Sequence, residues 1–250
     1  MARQRPATRD QQPGTSDGRR EADGLSLEAG GWWLVAGGSC VASKGMNLTV
    51  LDHPLAKHYL TVLRDRDTEP EVFRAAARRL TYSLVMEATR DLRLDECPVD
   101  TPLEKTTGYS LTPVVAIAVL RAGLGLLEAV VELIPSVKVG FAGVQRNEET
   151  AEPIEYYFKP PDLAEASVLI LEPMLATGGS LSWAVRKVID SGATDVRCLC
   201  VVAAPEGVNR MNREHPTVRI FAASLDRDLN DHFYIRPGLG DMGDRLFGTT

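Results

Sequence analysis

Glu172, Thr177, Gly178, Gly179 and Ser180 lie between the apolar run 168–171 and a helical pattern from Leu181 to Ile189. A glycine-hydroxyl loop in that position can turn several backbone N–H groups and two hydroxyls toward one point. The start of the following helix adds its partial positive charge there. Such a point suits a phosphate monoester. Glu172 cannot itself bind phosphate, because like charges repel, and a carboxylate there is better matched to sugar hydroxyls. Sugar hydroxyls beside a phosphate mean a phosphorylated ribose. The loop is not Walker A, since no Gly-Lys-[Ser/Thr] follows, and it is not the Gly-x-Gly-x-x-Gly dinucleotide fingerprint.

Other segments also carry polar residues that a helix or strand does not need. The apolar run 114–120 ends at Arg121 and the glycines Gly123 and Gly125, before a periodic helix to about Leu133. Residues 137–146 end at Arg146, followed by Asn147-Glu-Glu-Thr150. Two arginines on one rim supply forked donors for a second, more highly charged group such as a pyrophosphate. In the tail, Asn230 to Asp244, Pro237 fixes a dihedral and glycines permit close backbone approach, with Asp241 and Asp244 among them. Bare backbone suits a flat heterocycle read by amide N–H and C=O groups.

These groups need a scaffold that brings strand ends to one rim. The pattern predicts strands near 114–120, 137–144, 167–172, 196–203 and 218–224, and helices near 54–64, 69–92, 123–134, 179–191 and 206–214. A polar stretch over 95–112 reads as a β-hairpin, and 146–161, rich in Glu and Pro, as a flexible flap over the site. The fold class is α/β: a doubly wound, mainly parallel sheet flanked by helices, with an N-terminal helical and hairpin hood. In such sheets ligands bind beyond the carboxyl ends of the strands, where Arg121, Arg146 and Glu172 fall.

Composition fits a soluble enzyme. A chain of 250 residues, 44% hydrophobic and 25% charged, can bury one α/β core. A net charge of −6 argues against a nucleic-acid partner, which needs a basic face. Four cysteines without Cys-x-x-Cys, two of them alternating at Cys198 and Cys200 in an apolar run, read as reduced packing thiols in the cytoplasm. His53 and His58 lack the spacing of a helical zinc pair. Residues 1–45 read as a disordered N-terminal extension: Arg, Gln, Gly, Ser and Asp dominate as far as Gly24, and the patch Trp32–Ala36 is too short to span a membrane. Residues 46–250 then form the catalytic domain, with Met46 as a candidate alternative start.

From about Leu51 onward the chain resembles a uracil phosphoribosyltransferase of the type I phosphoribosyltransferase superfamily. The resemblance rests on His53-Pro-Leu with His58, Glu87-Ala-Thr-Arg-Asp91, Leu120-Arg-Ala-Gly-Leu-Gly125, Arg146-Asn-Glu-Glu-Thr150, Pro173-Met-Leu-Ala-Thr-Gly-Gly-Ser180, Ala203-Ala-Pro-Glu-Gly207 and Pro237-Gly-Leu-Gly-Asp241. It implies transfer of ribose 5-phosphate from PRPP to N1 of uracil, giving UMP and pyrophosphate, with Mg²⁺ held mainly by PRPP rather than by the protein. Arg121 and Arg146 would hold pyrophosphate and Glu172 the ribose hydroxyls. Pro173, Met174 and Leu175 would also bind PRPP, ahead of the cradle that Ala176, Thr177, Gly178, Gly179 and Ser180 form around the 5′-phosphate. Ile235, Gly240 and Met242 would read uracil through their main chains, and Asp241 would face PRPP and the reacting base. The resemblance also implies a homodimer or higher oligomer, with GTP as a candidate activator.

The chain departs from the family pattern in places. Position 172 is usually aspartate; the extra methylene of Glu172 moves the carboxylate by about 1 Å, a displacement that can cost ~10²-fold in rate. Met242 stands where a small residue is usual, Phe233 where glycine is usual and Met86 where tyrosine is usual. Two alternatives follow: a PRPP-binding regulator without turnover, and a phosphoribosyltransferase for a different base.

Overall fold

The computed structural model describes residues 41–42, 47–146 and 153–249, with only the backbone described at Val41, Ala42, Arg146 and Pro153. The chain opens with β1 (Val41–Ala42), β2 (Leu48–Val50), α1 (Pro54–Arg64), α2 (Pro70–Ala88), β3 (Leu94–Asp100) and β4 (Lys105–Leu111). It continues as β5 (Val114–Leu120), α3 (Leu124–Leu133), β6 (Lys138–Arg146), β7 (Pro153–Lys159), β8 (Ser167–Leu171), β9 (Met174–Leu175) and α4 (Gly179–Asp190). It ends with β10 (Asp195–Ala203), α5 (Pro205–Glu214), β11 (Arg219–Leu225), β12 (Asp228–Leu229), β13 (Ile235–Arg236) and α6 (Met242–Phe247).

One sheet runs in the order β1-β2-β11-β10-β8-β5-β6-β7. Strands β2 through β6 in that order pair in parallel, and β1 and β7 add antiparallel edges. The central strand β5 is wholly apolar and β8 nearly so because both faces are covered, whereas Asp195, Arg197 and Arg219 stand at the amino ends of β10 and β11. Side chains alternate between two cores. Ala116, Leu169, Leu171, Leu199 and Val201 face α1, α2 and α3, whereas Val115, Ile117, Ile170, Cys198 and Cys200 face α4 and α5. Helices α3 and α4 thus leave neighbouring strands β5 and β8 toward opposite faces and opposite sheet edges. That divergence makes the gap between β5 and β8 a topological switch point, and its carboxyl end carries Arg121 and Glu172.

Two motifs hold structure away from this rim. His53 caps α1, its Nδ1 accepting the N–H of Leu55 at 3.2 Å with Pro54 at the first helical turn. Asp91 lies near the amino end of the sheet, accepting from Arg197 at 2.7 Å and from Arg219 at 2.5 Å, and Arg197 also pairs with Asp195 at 2.8 Å. Helix α2 consequently ends at Ala88, short of the expected 92, as the chain turns to present Asp91.

The hairpin expected over 95–112 is present as β3–β4, in register from Leu94↔Leu111 to Asp100↔Lys105. The expected flap over 146–161 is instead partly regular: β7 pairs antiparallel with β6 from Phe141↔Lys159 to Arg146↔Pro153. Ile154, Tyr156, Tyr157 and Phe158 are strong strand formers that outweigh the charge of this stretch. Asn147-Glu-Glu-Thr150 falls outside the described residues, as does most of the expected extension over 1–45. Val41–Ala42, within that extension, pairs antiparallel with β2. Among the described residues no helix is long and apolar enough to cross a membrane.

Candidate active site

Pro173 shapes the first part of the rim. Lacking an N–H, it interrupts the ladder to β10; its carbonyl accepts the N–H groups of Val201 and Val202 at 2.8 and 3.1 Å, and β9 resumes the pairing at Met174↔Val202. The chain then enters the loop 176–178 and α4. Gly178 is left-handed, with φ 77°, and α4 has no side-chain cap. Its first N–H groups therefore have no partner from a capping side chain and point along the loop axis, the arrangement that receives an anion. The Ala203-Ala-Pro-Glu-Gly207 motif supports the loop from behind: a Cβ on Gly207 would stand 2.4 Å from the Ala176 carbonyl oxygen. Only glycine lets α5 approach the loop so closely.

Arg121 follows β5 across a cis Leu120–Arg121 peptide bond, and its Nη2 lies 3.1 Å from Oδ1 of Asp244 with the side chain 56% exposed. Gly123 allows the turn into α3, since a Cβ there would meet the Leu171 carbonyl oxygen at 2.3 Å. Arg146 ends β6, and its side chain lies outside the described residues.

The tail is ordered by a buried anchor. Asp226, 6% exposed, receives Arg64 through two N–H···O bonds of 2.6 and 2.8 Å, the Ser224 hydroxyl at 2.7 Å and the Gly238 N–H at 2.9 Å. Burial pushes this carboxyl up, but Arg64, Ser224 and Gly238 together hold it below the usual carboxylate range. Its contribution to stability is therefore complete above the ordinary carboxylate pKa and is lost as pH falls through the lower folded value. Asp226→Asn is expected to cost about 2–3 kcal/mol at pH 7 and to flatten the stability loss below pH 4. Urea unfolding from pH 7 to pH 3 measures both; an unchanged acid limb would contradict the assignment.

Beyond this anchor, Asp241 caps α6 by accepting the Asp244 N–H at 2.9 Å on Oδ1. A cavity of about 850 Å³ opens between the tail and the strand ends. Of the residues expected at the site, Arg121, Glu172, Met174, Ala176, Ile235, Gly240, Asp241 and Met242 line it. Thr177, Gly178, Gly179 and Ser180 continue the same loop at the start of α4. Leu175 points away, 1% exposed within the core. Met242 is also 1% exposed, packed with Ile235, Leu239 and Leu246, so its length is absorbed by the core rather than filling the cavity. Met86 lies exposed on α2 and is not part of the cavity lining.

Glu172 lies deep in the fold yet keeps part of its surface open to the cavity. Burial pushes its carboxyl from 4.5 up to about 8, with the Met174 N–H opposing the shift. At neutral pH it is largely a neutral acid, which can donate to or accept from a hydroxyl and does not repel an anionic ligand. Burial, together with the nearby Glu172, likewise pushes the Cys198 thiol up, as expected of a packing residue. Between pH 4.5 and 8 the folded state keeps a proton on Glu172 that the unfolded state has lost, so stability falls as pH rises through that window. Glu172→Gln, which cannot ionise, is expected to be more stable than the parent by roughly 2–3 kcal/mol at pH 7, with little difference at pH 4. Parallel denaturation curves at the two pH values would show the same pH dependence for both proteins if Glu172 were ionised throughout.

The sequence profile described as uracil phosphoribosyltransferase matches residues 50–249. The chain belongs to the uracil phosphoribosyltransferase family. A uracil phosphoribosyltransferase of Fervidobacterium nodosum is 48% identical over 205 residues, covering 81% of this chain and 99% of that one. One from Alkaliphilus oremlandii is 46% identical, with 81% and 98% covered. A solved structure from Aquifex aeolicus shares 41% identity and superimposes with a TM-score of 0.79 over 81% of this chain and 99% of its own. An adenine phosphoribosyltransferase of Trypanosoma brucei, 16% identical with a TM-score of 0.51 over 81% of this chain and 91% of its own, shares the fold.

In this family member Val144, Gln145, Tyr156, His232 and Tyr234 also wall the cavity, and no motif marks them as site residues. The partners of the Arg64–Asp226 anchor are separated by most of the chain and leave no local pattern. Phe233 lines the cavity with φ 61° and 47% exposure. A left-handed backbone costs an L-residue about 1–2 kcal/mol, which accounts for glycine being usual at this position.

Proposed function

We propose that the chain transfers the 5-phosphoribosyl group of PRPP to N1 of uracil, giving UMP and pyrophosphate. The observation that carries this reading is the meeting, at one switch point, of an uncapped glycine loop, Arg121, Glu172 and the tail at Asp241. The relatives named uracil phosphoribosyltransferase, matched over nearly their whole length, support the same activity.

In this scheme the C1–pyrophosphate bond weakens first, leaving an oxocarbenium-like carbon and a strongly anionic leaving group. Arg121, with Arg146, stabilises that developing charge, the main catalytic contribution. The loop Ala176–Ser180 holds the 5′-phosphate and Glu172 orients the ribose hydroxyls. The main chain at Ile235, Gly240 and Met242 reads uracil, and Asp241 takes the N1 proton directly or through one water. No covalent intermediate is needed. Among the described residues no cluster of three or more His, Cys, Asp or Glu could hold a metal, while Glu172 and Asp241 face the cavity. Mg²⁺ takes few protein ligands and favours substrate phosphates, so it would be held mainly by PRPP, with the Asp241 carboxylate on the cavity wall and the largely protonated Glu172 kept for the ribose hydroxyls. When bound, the ion neutralises charge on the pyrophosphate.

The same reading places the enzyme in the cytoplasm, in pyrimidine salvage, as a homodimer or higher oligomer without a nucleic-acid partner and with GTP as candidate activator. The hairpin β3–β4, with Leu103 95% and Tyr109 65% exposed, supports an oligomer in which it is covered. Residues 46–250 form the phosphoribosyltransferase domain in this reading, and 1–45 an extension dispensable for activity. Pyrophosphate release from PRPP and Mg²⁺ with uracil, 5-substituted uracils, cytosine and xanthine tests the proposal. Turnover with uracil is the expected result; turnover only with another base, or PRPP binding with no turnover, would replace it.

A further inference from the structure

Gly240 lines the cavity with φ 80°, and among the described residues no protein group bonds to its N–H or its carbonyl. Both are therefore open to a ligand. The carbonyls on either side are not. The Leu239 carbonyl accepts from Arg245 Nη1 at 2.9 Å, and the Asp241 carbonyl accepts from the Arg245 backbone N–H at 3.1 Å. One residue thus brackets Gly240 and leaves Gly240 itself free.

Arg245 is in turn held from beneath and is not part of the cavity lining. Nη1 also donates to the Leu63 carbonyl and Nη2 to the Asp65 carbonyl, at the carboxyl end of α1, where a helix leaves carbonyls without intrahelical partners. Its Cζ lies 4.3 Å from the centroid of the Phe73 ring, which is fully buried on α2. A planar guanidinium can serve three carbonyls and stack on a ring at once; an ammonium cannot. Arg64 fixes the preceding turn, donating to the Gly238 carbonyl at 2.7 Å. Positions 238 and 239 are consequently tied to α1, and the tail presents Gly240 from a fixed base.

That the main chain at Gly240 reads the base rests on the function proposed above. We propose that Arg245 is a positioning residue for this reading: it touches no substrate and sets the Gly240 backbone at the angle and depth that the edge of a base requires. A hydrogen bond weakens steeply with misalignment, so a small shift of this backbone is felt as lost affinity for the base. PRPP, held by other elements, is affected far less.

Arg245→Lys, which keeps the charge and loses the fork, tests this in pyrophosphate-release assays beside two further variants. Phe73→Leu removes the ring beneath the guanidinium and leaves its carbonyl partners. Arg74→Met removes the bond of 2.8 Å from Arg74 Nη1 to the Leu246 carbonyl, which anchors α6 without touching residues 239–241. KM for uracil is expected to rise about tenfold in Arg245→Lys and about two- to threefold in Phe73→Leu, while KM for PRPP changes by less than about twofold. Arg74→Met is expected to lower the unfolding temperature and to leave KM for uracil unchanged. An unchanged KM for uracil in Arg245→Lys would overturn the role, as would an equal rise in Arg74→Met or an equal rise in KM for PRPP. Should Arg245→Lys fail to fold, Phe73→Leu decides in its place, an unchanged KM for uracil again overturning the role. These outcomes, with an active parent enzyme, leave the proposed function standing; a parent inactive with uracil would overturn both.

Discussion

Asp241→Asn is expected to lower kcat/KM for uracil by about 10²–10⁴, the range for losing a positioned general base. The substitution is isosteric, and asparagine also caps helices well, so the bond from the Asp244 N–H that starts α6 is retained. In the proposed scheme, what is lost is the carboxylate that takes the N1 proton as the base attacks. The fall should appear in kcat, with KM for PRPP nearly unchanged and the unfolding temperature preserved. Steady-state pyrophosphate release and a thermal melt read these separately. A loss of activity accompanied by an equal loss of stability would assign Asp241 to the helix cap alone.

Arg121→Ala is expected to lower kcat by about 10²–10³ and to raise KM for PRPP, because in the proposed scheme its guanidinium stabilises the charge that grows on the leaving pyrophosphate. Stability should change by less than about 1 kcal/mol, since the only ion pair it makes among the described residues is to Asp244, and both side chains are substantially exposed. Arg121→Lys should recover only part of the activity, as an ammonium cannot reproduce the forked donor geometry. Kinetics of the two variants against PRPP concentration decide this; full activity in the lysine variant would show that only a positive charge is needed. With its side chain 56% exposed on the rim, Arg121 is open to a ligand.

The features legible in the sequence were those with local signatures. Continuous apolar runs at 114–120 and 168–171 mark the central strands, because a strand buried on both faces has little room for polar residues. The rim residues Arg121 and Glu172 followed from their places directly after those runs. The remainder depended on long-range contacts or on competition between patterns. Asp226 reads as one acid among several near the chain end, and only folding brings Arg64 and Gly238 to it. Met242 is expected at the base only through the family resemblance and does line the cavity, but α6 begins there and turns its side chain into the core, which no local pattern signals. Phe233 stood out only through the contrast with the glycine usual in its family; its backbone angle supplies the physical reason for that contrast. The Glu and Pro of 146–161 read as a flexible flap, whereas Ile154 and the aromatic residues of β7 decide for a strand.

The central claim is that one switch point joins a phosphoribosyl donor to a pyrimidine. The most direct measurement is to incubate the protein with PRPP, Mg²⁺ and isotopically labelled uracil, and to resolve labelled UMP and pyrophosphate over time. The proposed function predicts that both appear in equal amounts and that neither appears in Asp241→Asn at comparable rates. PRPP that binds but stays intact in the presence of uracil would contradict it.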